Sequence, residues 1–166
     1  MEHDLITAEK GLERALALAY RSLGTRQRTV AELRDLLERR GTDAEIVEPA
    51  MAELIGAGLL DDERYARAFA DDKRRLDGWG SERITCDLAR RGVAATVIEA
   101  AVASLRGNSE REAGAALLAR RFPSALEGDR DRDRAWRLLM RRGYAPELAY
   151  DVVRAHRAGE LGTAPR

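Results

Sequence analysis

Residues 57–93 read AGLLDDERYARAFADDKRRLDGWGSERITCDLARRGV, and this stretch holds one complete copy of a pattern that recurs on both sides of it. In this copy, an apolar helical run ends at Arg90-Arg91-Gly92. The same tripeptide stands at Arg39-Arg40-Gly41 and at Arg141-Arg142-Gly143, so the interval between successive glycines is 51 residues in both cases. A constant interval of this length is typical of tandem repeats.

Apolar positions follow the same interval, with one leucine before each tripeptide and two further apolar positions after it. The aligned sets are Leu37, Leu88 and Leu139; Ile46, Val97 and Leu148; and Met51, Val102 and Val153. Aligned apolar positions indicate equivalent cores. We therefore expect three repeats, at residues 7–58, 59–107 and 108–158, and a disordered tail at residues 159–166.

Composition and local signals favour helices within each repeat. Apolar residues make up 45% of the chain but aromatic residues only 5%, with much Ala, Leu, Arg and Glu, which are good helix formers. Serine, threonine and aspartate at helix starts satisfy free backbone N–H groups, so they mark predicted helix starts. These starts are Thr29, Thr42, Asp61 or Asp62, Ser81 and Ser109. The sequence predicts an all-α fold of three tandem three-helix repeats that form an elongated curved array.

Two stretches carry a family resemblance. Residues 59–66 (LLDDERYA), together with residues 78–84 and the segment from Leu88 to Val93, resemble the central motif of the RecX family, which regulates the RecA recombinase. Residues 138–145 (LLMRRGYA) are similar to the C-terminal repeat of that family. The resemblance extends from about residue 30 to about residue 155 and leaves both ends of the chain uncovered.

The resemblance implies a function without catalysis. A member of this family is expected to modulate RecA, mainly as an inhibitor, by binding along the groove of the RecA–DNA filament. Binding there would impede filament growth, strand exchange and ATP hydrolysis during homologous recombination, DNA repair and the SOS response. The lack of a signal peptide and of a membrane-spanning run predicts a cytoplasmic protein without membrane association. We also expect a monomer without a cofactor, and weak contacts with single- or double-stranded DNA are compatible with binding to RecA.

The repeated arginine pairs have two interpretations. Glycine favours the left-handed conformation that ends many helices, and basic side chains in the last turn offset the helix dipole. Two arginines at every repeat would also place cationic sites at regular intervals for phosphates or acidic protomers of a polymer. The candidate partner-binding residues are Arg39, Arg40, Arg90, Arg91, Arg141 and Arg142, followed by Lys73, Arg74 and Arg75 on a central helix.

Two other functions fit parts of the sequence. Three-helix units with short turns resemble helix-turn-helix DNA-binding modules, and residues 108–166 carry 12 basic against 9 acidic side chains. The whole chain, however, has 29 of each sign, which argues against tight nonspecific DNA binding. A scaffold for unrelated proteins is the third alternative, since helical repeat arrays commonly bind proteins.

Sites of other kinds have little support in the sequence. The single cysteine, Cys86, cannot form an intramolecular disulfide or a cysteine-based metal site. The pairs Asp61-Asp62 and Asp71-Asp72 do not converge, because neighbours on a helix point about 100° apart, so no metal site is expected. The sequence has no Gly-rich phosphate loop, signal peptide or membrane-spanning run. Trp79 fits either a core position or an anchor at an interface.

Overall fold

The computed structural model describes residues 2–157 apart from residues 125 and 127, and the regular structure of these residues is entirely helical. The helices are α1 Glu2–Leu23, α2 Val30–Arg39, α3 Ala44–Gly56, α4 Asp62–Asp77, α5 Ser81–Arg90, α6 Ala95–Ala103, α7 Asn108–Arg121, α8 Asp129–Arg142 and α9 Pro146–Arg157. The all-α prediction is therefore confirmed. The tail predicted for residues 159–166 lies outside the described residues. Among the helices described, none has the length and apolar character needed to cross a membrane.

The helices pack as three triplets, each around its own core. The helix pairs in extensive contact lie within α1–α3, within α4–α6 or within α7–α9. Each triplet has a separate cluster of buried apolar residues. Leu37, Leu88 and Leu139 hold equivalent places in these clusters and are completely buried. The structure is thus the array of three tandem three-helix repeats that the 51-residue interval predicts.

The other aligned positions also have equivalent environments. Met51, Val102 and Val153 are buried in the third helix of each triplet. Ile46, Val97 and Leu148 are half-buried, and each packs against its cluster. Each repeat therefore buries the same face of its third helix, and the burial of these side chains supplies the main favourable free energy of each small core.

Some of the predicted helix starts are correct and others are wrong. The Thr29 hydroxyl accepts a hydrogen bond from the backbone N–H of Glu32, and Asp61 accepts one from the N–H of Arg64, as predicted. The other three predictions fail because a neighbouring residue takes the capping position. Asp43, Gly80 and Gly107 precede the helices for which Thr42, Ser81 and Ser109 were predicted.

The alternating charges from Asp129 to Arg134 form the start of α8. Gly128 precedes the helix, and Ala135 is its first buried residue. The buried positions of α8 itself therefore begin only after the charge run.

Candidate partner-binding surface

The three Arg-Arg-Gly turns have the same backbone geometry. Gly41, Gly92 and Gly143 have φ angles of 78°, 77° and 80°. The residue after each glycine donates its N–H to the carbonyl of the aligned leucine: Thr42 to Leu37 at 3.1 Å, Val93 to Leu88 at 3.2 Å and Tyr144 to Leu139 at 3.2 Å. This pattern is the Schellman motif, which satisfies the last carbonyls of a helix and requires a left-handed residue. The glycines are therefore helix terminators, as the sequence indicates.

The turn that ends α5 lies against the start of α2, and we call this contact the first junction. The Thr29 hydroxyl donates a hydrogen bond to the carbonyl of Arg91 at 2.6 Å. A Cβ atom added to Gly92 would lie 2.3 Å from the Cβ of Ala31, so the two repeats touch at a point where no side chain fits. Gly92 therefore serves both its own turn and the packing of repeat 2 on repeat 1.

The turn that ends α8 lies against the start of α5 in an equivalent way, and we call this contact the second junction. The N–H of Gly80 donates to the carbonyl of Arg142 at 2.7 Å, and the N–H of Glu82 donates to the carbonyl of Gly143 at 3.2 Å. A Cβ on Gly143 would lie 2.3 Å from the Cβ of Arg83. The two junctions are equivalent in sequence. Gly80 lies 51 residues after Thr29, and Arg142 lies 51 residues after Arg91.

The middle helices α8, α5 and α2 consequently meet end to end and form what we call the helix column. At both junctions the carbonyl end of one helix meets the N–H end of the next, which places the helix dipoles head to tail. At the second junction, N–H groups at the start of α5 donate to carbonyls at the end of α8, whereas at the first junction the Thr29 hydroxyl donates to the carbonyl at the end of α5. The column thus couples all three repeats through the carbonyl ends of α8 and α5.

A carboxylate from the following repeat completes each junction. Asp62 accepts a hydrogen bond from the N–H of Val30 at 2.9 Å. Glu110 accepts from both the N–H and the hydroxyl of Ser81, at 2.6 and 2.8 Å. Burial raises the pKa of Asp62 above 3.8, and the hydrogen bond from Val30 opposes that rise. An acidic group at each helix start offsets the dipole there.

Three of the predicted contact arginines take part in these junctions. Arg91 donates to Glu32 at 3.2 Å and to the hydroxyl of Tyr65 at 3.0 Å. Arg142 donates to the carbonyl of Asp77. Arg74 pairs with Glu110 at 3.4 Å, and the side chains of both are at least nine-tenths buried. These internal contacts leave Arg74 almost no surface for a partner, whereas the Arg91 side chain stays 30% exposed.

The other predicted arginines are exposed. Arg40 directly follows α2, and the others lie in the last turns of their helices. They are Arg39, Arg40, Arg75, Arg90 and Arg141. Arg90 pairs with Asp87, and Arg75 pairs with Asp72 at 3.2 Å. Such exposed pairs contribute little to stability, so these guanidinium groups can exchange their acidic partners for others.

A band of alternating cations and rings crosses the second repeat, and we call it the cation–aromatic strip. The Arg91 guanidinium lies 4.9 Å from the centre of the Phe69 ring. Lys73 lies 4.8 Å, and Arg83 4.1 Å, from the centre of the Trp79 ring. Trp79 is half-buried, so part of its side chain is accessible. Lys73 and Trp79 were singled out from the sequence, whereas Arg83 was missed.

The described residues contain no cluster of three or more histidine, cysteine, aspartate or glutamate side chains that could hold a metal ion. Asp61 and Asp62 have separate roles, since the first caps α4 and the second completes the first junction. The backbone N–H of Arg64 holds the pKa of Asp61 below 3.8. The exposed guanidinium groups at the turns are suited to carboxylates or phosphates.

Comparisons with known proteins identify relatives of this architecture. Residues 15–54 match the model of the first three-helix domain of RecX, and residues 61–102 match that of the second three-helix domain. A regulatory protein RecX from Deinococcus radiodurans is 38% identical over 149 residues, which cover 89% of this chain and 71% of that protein. A regulatory protein RecX from Mycolicibacterium vanbaalenii is 35% identical, with 89% and 85% covered.

Solved structures agree at the level of the fold. The crystal structure of RecX from Lactobacillus salivarius superposes with a TM-score of 0.79 at 18% identity, covering 90% of this chain and 99% of that one. A second crystal structure, of a regulatory protein RecX, superposes with a TM-score of 0.75 at 22% identity, covering 91% and 75%. All three helical triplets therefore have counterparts in known structures.

Proposed function

This chain belongs to the RecX family, and on that premise we propose that it modulates the RecA recombinase, mainly as an inhibitor, by binding along the groove of the RecA–DNA filament. It acts in the cytoplasm as a monomer, without a cofactor and without catalysing a reaction of its own. Its working units are the repeats at residues 7–58, 59–107 and 108–158. Occupation of the groove impedes filament growth and strand exchange and lowers ATP hydrolysis by RecA.

The observation that carries this proposal is the helix column with its exposed arginines. An array whose repeats contact only their neighbours presents an extended surface. The two junctions fix the spacing of Arg39, Arg40, Arg90 and Arg141, because each of these residues lies in an Arg-Arg-Gly turn. Regularly spaced guanidinium groups suit carboxylates or phosphates that are repeated along a polymer, since they bind both in a bidentate geometry.

The arginines that bind the filament are those that the junctions do not use. We expect the fourfold variant R39A/R40A/R90A/R141A to inhibit the ATPase activity of RecA on single-stranded DNA about tenfold more weakly, which corresponds to a loss of about 1.4 kcal/mol of binding. The measurement is the concentration that gives half-maximal inhibition. Circular dichroism should be unchanged, because all four side chains are exposed.

A matched control removes four exposed arginines elsewhere in the array. The variant R67A/R106A/R111A/R137A has the same net charge as the test variant, and its residues form exposed ion pairs away from the turns. We expect its half-maximal concentration to stay within about twofold of the wild type. Equal weakening in both variants would indicate a general effect of charge and would contradict the assignment of the contact to the turns.

Direct DNA binding is the second candidate, and the cation–aromatic strip favours it. Bases stack on aromatic rings while cations contact phosphates, which is how many proteins hold single strands. This function predicts binding to single-stranded DNA without RecA that weakens steeply as the salt concentration rises. It also predicts that W79A/R83A abolishes that binding. Binding that is independent of these two residues would exclude the strip as the DNA site.

A further inference from the structure

The helix column has one open end. α2 ends in the same Arg-Arg-Gly turn as α5 and α8, with the same φ at its glycine. A Cβ added to Gly41 would meet no atom of the described structure within 4 Å, whereas one added to Gly92 or Gly143 would meet the next helix at 2.3 Å. Arg39 and Arg40 beside it are exposed. The Arg-Arg-Gly turn thus joins repeats at its second and third copies, whereas its first copy meets no other helix of the described residues.

The two internal junctions define what fits against such a turn. In each, the carbonyl of the second arginine accepts a hydrogen bond from the residue that begins a helix. The glycine approaches the first turn of that helix so closely that no side chain can lie between them. A carboxylate lies beside the same helix start. The matching partner is therefore the exposed beginning of an α-helix that is accompanied by an acidic group.

The other end of the column does not offer such a helix start, so a second copy of this chain is a poor match. Thr29 and Gly80 stand eight residues before Leu37 and Leu88, but Gly128 stands eleven residues before Leu139. α8 is consequently about one turn longer at its start than the helices that accept a turn. The added residues are alternating aspartates and arginines. They would keep an incoming Arg-Arg-Gly turn away from the place on α8 that corresponds to the starts of α2 and α5.

We propose that the Arg39-Arg40-Gly41 turn docks against the start of an α-helix on the protein partner, in the manner of the two internal junctions. The partner helix begins with serine, threonine or glycine, has a small residue in its first turn, and is accompanied by a carboxylate that pairs with Arg39 or Arg40. Under the proposed function, on which this inference rests, the helix belongs to a RecA protomer. The docked turn then extends the helix column into the filament.

The test places a side chain on the docking face without breaking the turn. Asparagine tolerates the left-handed conformation, so Gly41→Asn keeps the turn but fills the space that the partner helix needs. The control is Gly58→Asn, because Gly58 also has a positive φ of 68° and has no atom within 4 Å of an added Cβ. Both variants are tested for co-sedimentation with RecA filaments on single-stranded DNA, and their melting temperatures are measured.

We expect G41N to bind filaments at least about tenfold more weakly than G58N, in line with the loss of one well-packed contact. The charge reversal R39E/R40E should weaken binding similarly. It tests the same turn through exposed side chains, whose replacement should leave the fold intact. If the wild type binds filaments and both turn variants bind equally well, the inference is overturned and the proposed function stands. If the wild type does not bind filaments, the proposed function itself fails.

Discussion

The first and second junctions use the same turn but join the repeats with different groups. At the first, side chains make the contacts: the Thr29 hydroxyl donates to the carbonyl of Arg91, and the Arg91 guanidinium donates to Glu32. At the second, backbone N–H groups meet backbone carbonyls, and the Arg74–Glu110 ion pair is buried beside them.

One residue explains much of this difference. A Cβ on Gly80 would lie 2.0 Å from the carbonyl oxygen of Gly143, so only glycine lets the two backbones approach this closely. Thr29 occupies the aligned place at the first junction, where its hydroxyl donates to the carbonyl of Arg91. The comparison teaches that a repeated turn fixes where repeats meet, while the residue at the facing helix start decides which groups make the contact.

The largest expected effect is at the second junction. Glu110→Ala should lower the free energy of unfolding by about 3–5 kcal/mol, because it leaves Arg74 buried without its acidic partner and Ser81 without its acceptor. Denaturant unfolding monitored by circular dichroism measures the change. Glu112→Ala is the matched control, since Glu112 lies on the exposed side of the same helix. A loss below about 1 kcal/mol, the scale of an exposed pair, would contradict the burial of the Arg74–Glu110 pair at the second junction.

A smaller loss is expected at the first junction. Thr29→Val keeps the shape of the side chain but removes both the cap of α2 and the hydrogen bond to Arg91. The expected cost is about 1–2 kcal/mol, typical of a helix cap. Thr96→Val, at an exposed position of α6, should change stability by less than about 0.5 kcal/mol. If T29V cost as much as E110A, the distinction between the two junctions would be lost.

The smallest effect is a dependence on pH at Asp61 and Asp62. Burial raises the folded-state pKa of Asp62, so its contribution to stability is present below 3.8 and is lost as the pH rises through the raised pKa. The lowered pKa of Asp61 has the opposite sign, because its contribution is present above 3.8 and is lost as the pH falls through the lowered pKa.

Melting temperatures between pH 3 and pH 6 can separate the two carboxyl groups. Relative to D62N, the wild type should lose stability as the pH rises. Relative to D61N, it should gain stability over the same range. The same sign for both comparisons would mean that the first junction does not bury Asp62.

Much of the fold could be predicted from the sequence because the information is periodic. The 51-residue interval identified the turns, and the aligned leucines proved to be buried core residues. Tyr144 was missed as a core residue, although it is completely buried and its hydroxyl donates to the carbonyl of Gly78 at 3.2 Å. It packs in the core of the third repeat, where its ring lies against Gly114 of α7, and this tertiary contact is not visible in the 51-residue alignment.

The candidate site was harder to predict than the fold. The arginine pairs could be listed from the sequence, but their division into exposed and engaged side chains depends on contacts between residues about 60 positions apart. Arg91 and Arg90 are neighbours, yet one joins two repeats and the other is exposed. Ser81 failed as a helix cap for a similar reason, since its hydroxyl is drawn to Glu110 in the next repeat.

The central claim is that one turn joins repeats twice and is open once, and three asparagine variants test it most directly. G41N, G92N and G143N impose the same local strain, because the three glycines share nearly the same φ. The account predicts that G92N and G143N lower the free energy of unfolding by at least about 2 kcal/mol more than G41N, since only these two force a side chain into a packed contact. Equal losses in all three would contradict it, because the turns would then act only as helix ends.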